Sequence, residues 1–378
     1  MRKLTIVFHH AGGGHRSAAD ALKDTLAAQD QPWDITLLDL QKLLDPIDLV
    51  RRTTGLRIQD AYNLILRRGW TRFTPQLLKV LQGTIRAYHS PIVKALRAYW
   101  SQHPADLVLS VIPHFNRAIA DSLRTNGTRT PFVTLITDLA DYPPRFWIER
   151  QSEYIIAGTG RARQQALTMG HPAGHIFETS GMVLKPRFYE RTAVDRVAER
   201  KRLGLEPDCP TGIVLFGGHG SRVMVDIARR IDQSGSDVQL ILICGHNQKL
   251  AAELKSLKTR KPILVEGFIS NVEYYMSLAD FFIGKPGPGS ISEALQFHLP
   301  VIVEWNSRAL PQERYNAEWV TEKGFGIVVT NFRDITSSVQ RLLDPATFKE
   351  LRHNVSAYSN RALFEVPVIL EKCLTRTT

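Results

Sequence analysis

The sequence predicts an α/β protein built from two doubly wound domains, because short apolar runs alternate with helical stretches along its length. The runs are continuous rather than alternating, which is typical of parallel strands buried on both faces. Twelve runs form two series of six, and 378 residues suffice for two domains. The expected strands are Lys3–Phe8, Asp34–Leu38, Asp106–Val111, Phe132–Thr137, Glu153–Ala157 and His175–Glu178, then Gly212–Phe216, Val238–Ile243, Ile263–Val265, Asp280–Ile283, Val301–Val303 and Gly326–Val329.

A charged segment with several prolines separates the two series and marks the domain boundary. In open parallel sheets the ligand crevice lies at the carboxyl ends of the strands, so we expect the two domains to face each other across a cleft. The predicted organisation is a first domain over 1–185 with a basic excursion at 51–100, a linker over 186–210, a second domain over 211–350 and a C-terminal helix over 351–378.

Composition excludes several classes of protein. With 43% hydrophobic and 22% charged residues, the chain is not a disordered one. Its three cysteines are far apart, which excludes a disulfide scaffold and a structural zinc module. The apolar run behind the basic start is too short for a cleavable signal, and nowhere are there the roughly 18 apolar residues in a row that a membrane span needs. We therefore expect a cytoplasmic protein.

The positive charge is concentrated in one segment. The net charge is +11, and residues 51–100 hold ten basic residues and one acid. Apolar and aromatic residues recur there at spacings of three and four, which predicts amphipathic helices. Either these helices are simply solvated, or they rest on anionic lipid headgroups; nucleic acid is disfavoured because no recognition motif accompanies the charge. The residues expected to dock on a membrane are Arg67, Arg68, Trp70, Arg72 and Phe73.

A glycine-rich loop follows the first expected strand and opens an alanine-rich helix. It is no dinucleotide fingerprint, because Ser17 stands where glycine or alanine is required, and it lacks the Gly-Lys-Ser/Thr of a phosphate-binding loop. It places His15 at a helix N-terminus, where the helix dipole disfavours the imidazolium form. His15 is therefore a candidate general base, and a capping or surface histidine is the alternative.

Two further glycine-rich turns lie in the second domain, each between a strand and a helix. Backbone N–H groups at a helix start favour phosphate, and Lys285 adds a cation, so together the turns can hold a diphosphate without a metal. Glu293, farther into the second of these helices, can accept both hydroxyls of a ribose, and Gln312 and Glu313 can meet the hydroxyls of a sugar. The turn residues are Gly217, Gly218, Gly220, Ser221 and Arg222, and Lys285, Gly287, Pro288, Gly289 and Ser290.

These motifs come in the order of a known family. The chain resembles the monogalactosyldiacylglycerol synthase and processive diacylglycerol glucosyltransferase family, itself similar to the glycosyltransferase that makes lipid II. The resemblance spans roughly residues 3 to 335. The matching stretches are Gly12-Gly13-Gly14-His15 with Ala18 to Leu22, Thr137-Asp138-Leu139, Gly267-Phe268-Ile269 with Asn271-Val272, Gly284-Lys285-Pro286-Gly287 with Glu293-Ala294, and Gln312-Glu313 with Asn316-Ala317.

The resemblance implies a GT-B fold with two Rossmann-like domains and an inverting transfer that needs no metal and no resident cofactor. The donor would be UDP-glucose or UDP-galactose, which differ at one hydroxyl, so the sugar stays open. By similarity, Phe268 and Ile269 flank the uracil, Glu293 binds the ribose and Gly287 to Ser290 bind the diphosphate. Residues Gly217 to Ser221 support the phosphates from the other side, and Gln312 and Glu313 contact the donor sugar.

The first domain would then hold a lipid acceptor, expected to be diacylglycerol, beside Gly13 and Gly14. His15 matches the family's histidine and is the favoured base. Asp138 is the other candidate, as base or as the partner that orients His15, and a loop-capping aspartate is its bland alternative. Two rival functions stay open: an NAD-dependent oxidoreductase with Asp39 on the ribose, and a non-catalytic membrane- or nucleic-acid-binding module.

Overall fold

The computed structural model describes residues 1–10, 13–29, 33–47, 82–124, 130–150, 153–190, 194–306 and 310–376. The chain divides into two compact units. Unit 1 comprises Met1–Pro186, Leu310–Gln312 and Asn360–Thr378, and unit 2 comprises Arg187–Ala309 and Glu313–Ser359. The five residues expected to dock on a membrane, Arg67, Arg68, Trp70, Arg72 and Phe73, lie outside the described residues.

Unit 1 is built on a six-stranded sheet in which every strand pairing is parallel. The strand order is β2-β1-β3-β4-β5-β6, so the chain reverses its direction across the sheet between β1 and β3. The strands are β1 (Lys3–Phe8), β2 (Asp34–Asp39), β3 (Leu107–Ser110), β4 (Phe132–Leu135), β5 (Tyr154–Ala157) and β6 (Ile176–Glu178), and the first helices are α1 (Gly14–Ala27), α2 (Leu40–Leu44), α3 (His89–Gln102), α4 (Asn116–Leu123) and α5 (Gly160–Thr168).

Unit 2 repeats the design with another parallel six-stranded sheet, in the order β12-β11-β10-β7-β8-β9. Its reversal lies between β7 and β10. The strands are β7 (Thr211–Leu215), β8 (Gln239–Ile243), β9 (Ile263–Glu266), β10 (Phe281–Gly284), β11 (Val301–Glu304) and β12 (Gly326–Val329); the helices are α6 (Arg196–Arg202), α7 (Val223–Gln233), α8 (Gln248–Lys255), α9 (Val272–Leu278), α10 (Pro288–Gln296), α11 (Arg314–Glu322), α12 (Ile335–Leu343) and α13 (Pro345–Ala357).

The last helix, α14 (Ala362–Thr375), belongs to unit 1. The expected single helix over 351–378 is therefore two helices that join different units. The buried Asn360 explains the break: its amide donates to the carbonyl of Met182, and its side-chain oxygen accepts the N–H of Ala362 at the start of α14.

The expected linker over 186–210 also differs from what the structure contains. It includes α6, and its residues cluster with unit 2 from Arg187 onward. Arg200 is almost fully buried and pairs with Asp280 at 2.8 Å, while it also donates to the carbonyl of Leu278. A buried guanidinium needs such partners, so α6 is held as part of the unit 2 fold.

All twelve predicted strands are confirmed, with ends that differ by at most two residues. Their side chains are buried on both faces in the sheet centres, as in β3 and β10, where every residue is buried. Such burial drives the layered α/β packing, because each apolar side chain removed from water contributes about 1.5–3 kcal/mol. No helix within the described part of the chain combines the length and apolar character needed to cross a bilayer.

Candidate active site

Three histidines gather at the carboxyl edge of the unit 1 sheet, where the strand order reverses. His9 follows β1, His15 is the second residue of α1, and His114 follows β3. The rings of His9 and His15 lie 4.5 Å apart between centroids. Before the helix, Gly13 has φ near +80°, a conformation that glycine adopts without strain. In a doubly wound sheet this reversal point is where ligands bind.

The surroundings keep these imidazoles uncharged. Burial lowers the pKa of His15 to about 4; a backbone hydrogen bond to Val111 opposes this shift, and the nearby His114 adds to it. Burial and the neighbouring His9 lower the pKa of His114 to about 4 as well. Burial, followed by His15, holds the pKa of His9 well below its usual value. At neutral pH all three rings can therefore accept a proton.

The segment that follows β4 supplies polar partners of this histidine cluster. Thr137 Oγ1 lies 3.0 Å from His15 Nδ1. Asp138 is buried, and its carboxylate accepts the indole N–H of Trp147 at 2.7 Å. His15 Nδ1 therefore has a hydrogen bond with Thr137, and the role of Asp138 as base or as the partner that orients His15 stays a prediction. The Trp147 ring also packs on His15, with 5.5 Å between centroids.

A buried aspartate shapes the loop that carries Trp147. The carboxylate of Asp141 accepts the backbone N–H groups of Arg145 and Trp147 at 2.8 and 2.6 Å. The amide of Gln165 bonds both backbone groups of Asp141. Arg145 has φ near +67°, so these bonds hold a conformation that is unfavourable by itself. The sequence offered no signal for Trp147, whereas His9 and His114 each follow a predicted strand and could have been found that way.

In unit 2 the two predicted glycine turns meet at the reversal between β7 and β10. Some glycines in and beside these turns are required because neighbouring backbone atoms pack closely against them. A Cβ on Gly220 would lie 2.9 Å from the carbonyl of Cys244, and a Cβ on Gly245 would lie 2.2 Å from the carbonyl of Gly218. Gly217, Gly220 and Gly245 all have positive φ. The turn after β7 therefore rests directly on the turn after β8, while a Cβ on Gly218 itself would meet open space.

The start of α10 has the geometry of an anion site. Gly287 precedes the helix and Pro288 is its first residue, a position where the missing N–H costs no helical hydrogen bond. The N–H groups of Gly289 and Ser290 in the first turn have no carbonyl within the helix to bond. Nothing lies within 4 Å of a Cβ built on Gly289. The helix dipole adds partial positive charge at this end.

Lys285 is not an isolated cation at this loop. Its Nζ lies 3.2 Å from Oε1 of Glu313, which is buried. The amide of the fully buried Asn316 donates to the carbonyl of Pro286 at 2.7 Å and ties the loop to α11. Glu313 and Asn316 thus shape the loop, and Gln312 falls with the residues of unit 1 rather than unit 2.

Other predicted donor residues differ in surroundings. Phe268 follows β9 and is 64% exposed, with its ring stacked on His246 at 4.1 Å and 14°. Ile269 and Glu293 are partly buried. His246, which sequence reasoning missed, donates its backbone N–H to the carbonyl of Gly218 at 2.9 Å. The exposed Arg222 instead pairs with Glu253 at 3.4 Å, so its charge already has a partner; Ser221 precedes it.

One group of described residues has metal-ligand spacing, and it lies elsewhere. Glu206, Cys209 and Asp237 come before β7 and β8, at the amino edge of the sheet. The ammonium group of Lys261 already bonds both carboxylates at 2.6 Å.

Known proteins are similar to this chain along nearly its full length. Residues 213–371 match the glycosyltransferase family 28 C-terminal domain. The chain is 27% identical over 362 residues to a probable chloroplastic monogalactosyldiacylglycerol synthase of soybean (Glycine max), with 92% of this chain and 66% of that protein covered. The monogalactosyldiacylglycerol synthase of spinach (Spinacia oleracea) is 26% identical over 360 residues, with coverages of 91% and 66%. The chain thus spans about two thirds of these relatives.

Solved structures show the same fold at low sequence identity. MurG of Acinetobacter baumannii superposes with a TM-score of 0.65 and 12% identity, covering 98% of this chain and 99% of that one. The Staphylococcus aureus MnaA structure with UDP has a TM-score of 0.63 and 17% identity, covering 100% and 98%. Anabaena HepE in complex with UDP-glucose has a TM-score of 0.58 and 14% identity, covering both chains fully. This likeness and the two parallel sheets identify a GT-B fold.

Proposed function

We propose that the chain belongs to the monogalactosyldiacylglycerol synthase group of glycosyltransferase family 28, to which it is similar along nearly its full length, and that it moves a hexose from a UDP-sugar to a lipid hydroxyl. The donor is UDP-glucose or UDP-galactose and the acceptor is diacylglycerol, so the product is a glycoglycerolipid. Unit 2 binds the donor and unit 1 binds the acceptor, with transfer in one inverting step.

Donor binding rests on backbone groups and one exposed ring. The first-turn N–H groups of α10 hold the diphosphate, and the turn after β7 supports it. The exposed face of Phe268, already stacked on His246, provides a flat apolar surface beside which uracil packs. Glu293 takes the ribose hydroxyls. Glu313 accepts hydroxyls of the sugar while Lys285, its counter-ion, compensates the buried carboxylate.

The single observation that carries the mechanism is the hydrogen bond at 3.0 Å between His15 Nδ1 and Thr137 Oγ1, in surroundings whose burial lowers the pKa of the ring to about 4. In the tautomer with hydrogen on Nδ1, the ring donates to Thr137 Oγ1 and its lone pair lies on Nε2. Nε2 takes the proton of the acceptor hydroxyl as that oxygen attacks C1 of the sugar. The bond between C1 and the diphosphate oxygen breaks, and UDP leaves with the electron pair. Dipoles at the start of α10 stabilise the charge that develops there.

The test is transfer of radiolabel from UDP-glucose and from UDP-galactose to diacylglycerol vesicles, with the lipid products resolved. We expect a labelled monohexosyl lipid from one of the two donors, and unchanged turnover with a chelator present. His15→Ala should remove turnover while UDP still binds by calorimetry. The matched control is His103→Ala, since His103 is an exposed histidine stacked on Tyr99.

Three results would overturn the proposal. Near-normal turnover in His15→Ala would show that His15 is not the general base. An absence of binding heat and of thermal protection with UDP would show that the chain has no UDP site. An absorbance change at the nicotinamide band, without sugar transfer, favours the oxidoreductase, in which Asp39 would bind ribose; that carboxylate lies 3.4 Å from His10.

A further inference from the structure

The outward face of α14 carries two exposed apolar side chains. Phe364 and Val368 lie one helical turn apart and are 44% and 54% exposed. Among the described residues, the other exposed large hydrophobic side chains are Met1, Val197 and Phe268, which lie singly on other elements. The opposite face of α14 is buried in unit 1, so the helix presents this pair on a fixed support.

The charges around the pair have one sign on the outward face. Arg361 precedes Phe364, with its guanidinium 6.0 Å from the ring centroid, and Lys372 follows Val368 by one turn. Both cations are exposed. The acids of this helix are engaged elsewhere: Glu365 accepts the N–H of Ser180 at 2.7 Å, and Glu371 pairs with Arg2. The face is therefore an apolar centre with a cation at each end.

The fold places the Phe364 end at the edge of the sheet that carries His15. The start of α14 bonds Ser180, which follows the carboxyl end of β6. Its far end reaches Arg2, which precedes the amino end of β1. Because all six strands are parallel, Phe364 and the histidine cluster lie at the same carboxyl edge of unit 1.

We propose that this face of α14 docks on an anionic lipid bilayer, separately from the basic segment 51–100. The occupant is a membrane rather than a protein because two apolar side chains are too small a patch for a stable protein interface, which needs about 800 Å² per partner. Apolar side chains can insert at the headgroup boundary, and the cations on either side of them are attracted to anionic lipid. The choice of a membrane rests on the proposed lipid acceptor, whose hydroxyl must reach the His15 edge.

A fluorescent probe on the helix tests this directly. The three native cysteines are buried, so an introduced surface cysteine is labelled selectively. Val368→Cys labelled with an environment-sensitive dye should shift its emission to the blue on vesicles of phosphatidylglycerol, and much less on phosphatidylcholine. Val197→Cys is the matched control, since Val197 is 48% exposed on α6 of unit 2 and should not respond. An unshifted Val368 probe on bound protein overturns the proposal.

A second measurement uses unlabelled protein. Phe364→Ser with Val368→Ser should weaken sedimentation with phosphatidylglycerol vesicles about tenfold at moderate salt, and Lys372→Glu should weaken it in the same direction. Val197→Ser should not. Parent-like binding by the double variant contradicts the proposal, as does a parent dimer in sedimentation velocity that the same substitutions dissociate.

The proposed function fails separately. Turnover on dioctanoylglycerol dispersed in detergent should stay unchanged in the double variant, because that acceptor needs no bilayer. Loss of all sugar transfer in the parent would overturn the proposed function, and the probe on α14 would still report whether the helix meets lipid. Far-ultraviolet circular dichroism of each variant confirms the fold, and the labelled Val368→Cys protein still tests the proposal if the double variant does not fold.

Discussion

The glycine turn after β1 and the glycine turns after β7 and β10 share one backbone design, and we propose different chemical roles for them. Each joins a parallel strand to a helix where the strand order reverses. In unit 1 the space over Gly13 and Gly14 is open, and side chains surround it: neutral imidazoles, an indole and a buried carboxylate. In unit 2 the proposed donor site consists mainly of backbone N–H groups, and Lys285 pairs with Glu313.

This comparison shows that a glycine-rich turn does not by itself identify a ligand. Gly245 and Gly220 are needed because neighbouring backbone carbonyls approach them closely, whereas Gly218 and Gly289 border open space. The distinction follows from the tertiary packing of each loop. It can be tested by changes that separate the chemical role of unit 1 from the packing role in unit 2.

The largest expected effect is on the chemistry of unit 1. His15→Gln keeps a similar shape but accepts no proton, so kcat should fall about 10²–10⁴-fold, the usual contribution of a general base. The affinity for UDP, measured by calorimetry, should stay within about twofold because unit 2 is unchanged. A fall in UDP affinity with an intact kcat would reverse the roles assigned to the two units.

Next is a pair of glycine substitutions in unit 2. Gly245→Ala puts a Cβ 2.2 Å from the carbonyl of Gly218 at a φ of +57°, so the turn must move. We expect about tenfold or greater loss of UDP affinity and a lower Tm, since backbone strain of this kind costs about 1–3 kcal/mol. Gly218→Ala meets no protein atom, so it is the control for Tm alone, because Gly218 lies in the turn proposed to support the diphosphate. An equal Tm for Gly245→Ala and Gly218→Ala would contradict the packing role of Gly245.

The indole of Trp147 offers a matched stability test in unit 1. Trp147→Phe leaves the buried Asp138 without that donor, whereas Trp100→Phe removes a 2.8 Å hydrogen bond to the neutral hydroxyl of Ser122. Hydrogen bonds to charged groups contribute about 1.5–3 kcal/mol, against about 1 for neutral ones. Urea unfolding should therefore show the larger loss of unfolding free energy for Trp147→Phe. The reverse order would mean that Asp138 is uncharged or partnered mainly elsewhere.

Acid should weaken unit 1 through its histidines. The pKa values of His15 and His114 are about 4 in the folded protein and about 6.5 when unfolded, so the unfolded chain binds more protons between these values. The unfolding free energy should be full above about pH 6.5 and fall as the pH drops toward 4. Urea titrations at several pH values should show a shallower slope in His114→Gln. An identical slope in that variant would show that the His114 ring does not contribute to the pH dependence of the unfolding free energy.

The smallest effect concerns Arg222. Its guanidinium is exposed and pairs with Glu253, so Arg222→Ala should change UDP affinity by less than about twofold. Lys285→Met, in contrast, leaves the buried Glu313 without its counter-ion and should lower UDP-sugar affinity and stability together. Calorimetry on both variants compares the contributions of the two cations to ligand affinity. A larger loss of affinity in Arg222→Ala than in Lys285→Met would contradict this prediction.

Much of this protein's architecture is determined by local sequence. Continuous apolar runs between helical segments determined all twelve strands, because burial on both faces of a parallel sheet imposes that pattern on each strand separately. The same local pattern put His15 at a helix start and the glycines of α10 at another. The residues just after each strand must lie at the carboxyl edge of its sheet, so the location of both candidate sites was predictable too.

Only the tertiary structure decided which side chains meet there. Strand order brought His114 to His15, the Asp141 loop brought Trp147 to Asp138, and α11 brought Glu313 to Lys285. It also assigned α14 to unit 1 through Asn360. These contacts join residues far apart in the chain, and their energies depend on burial and geometry that arise after the sheets have formed, so no local pattern in the sequence contains them.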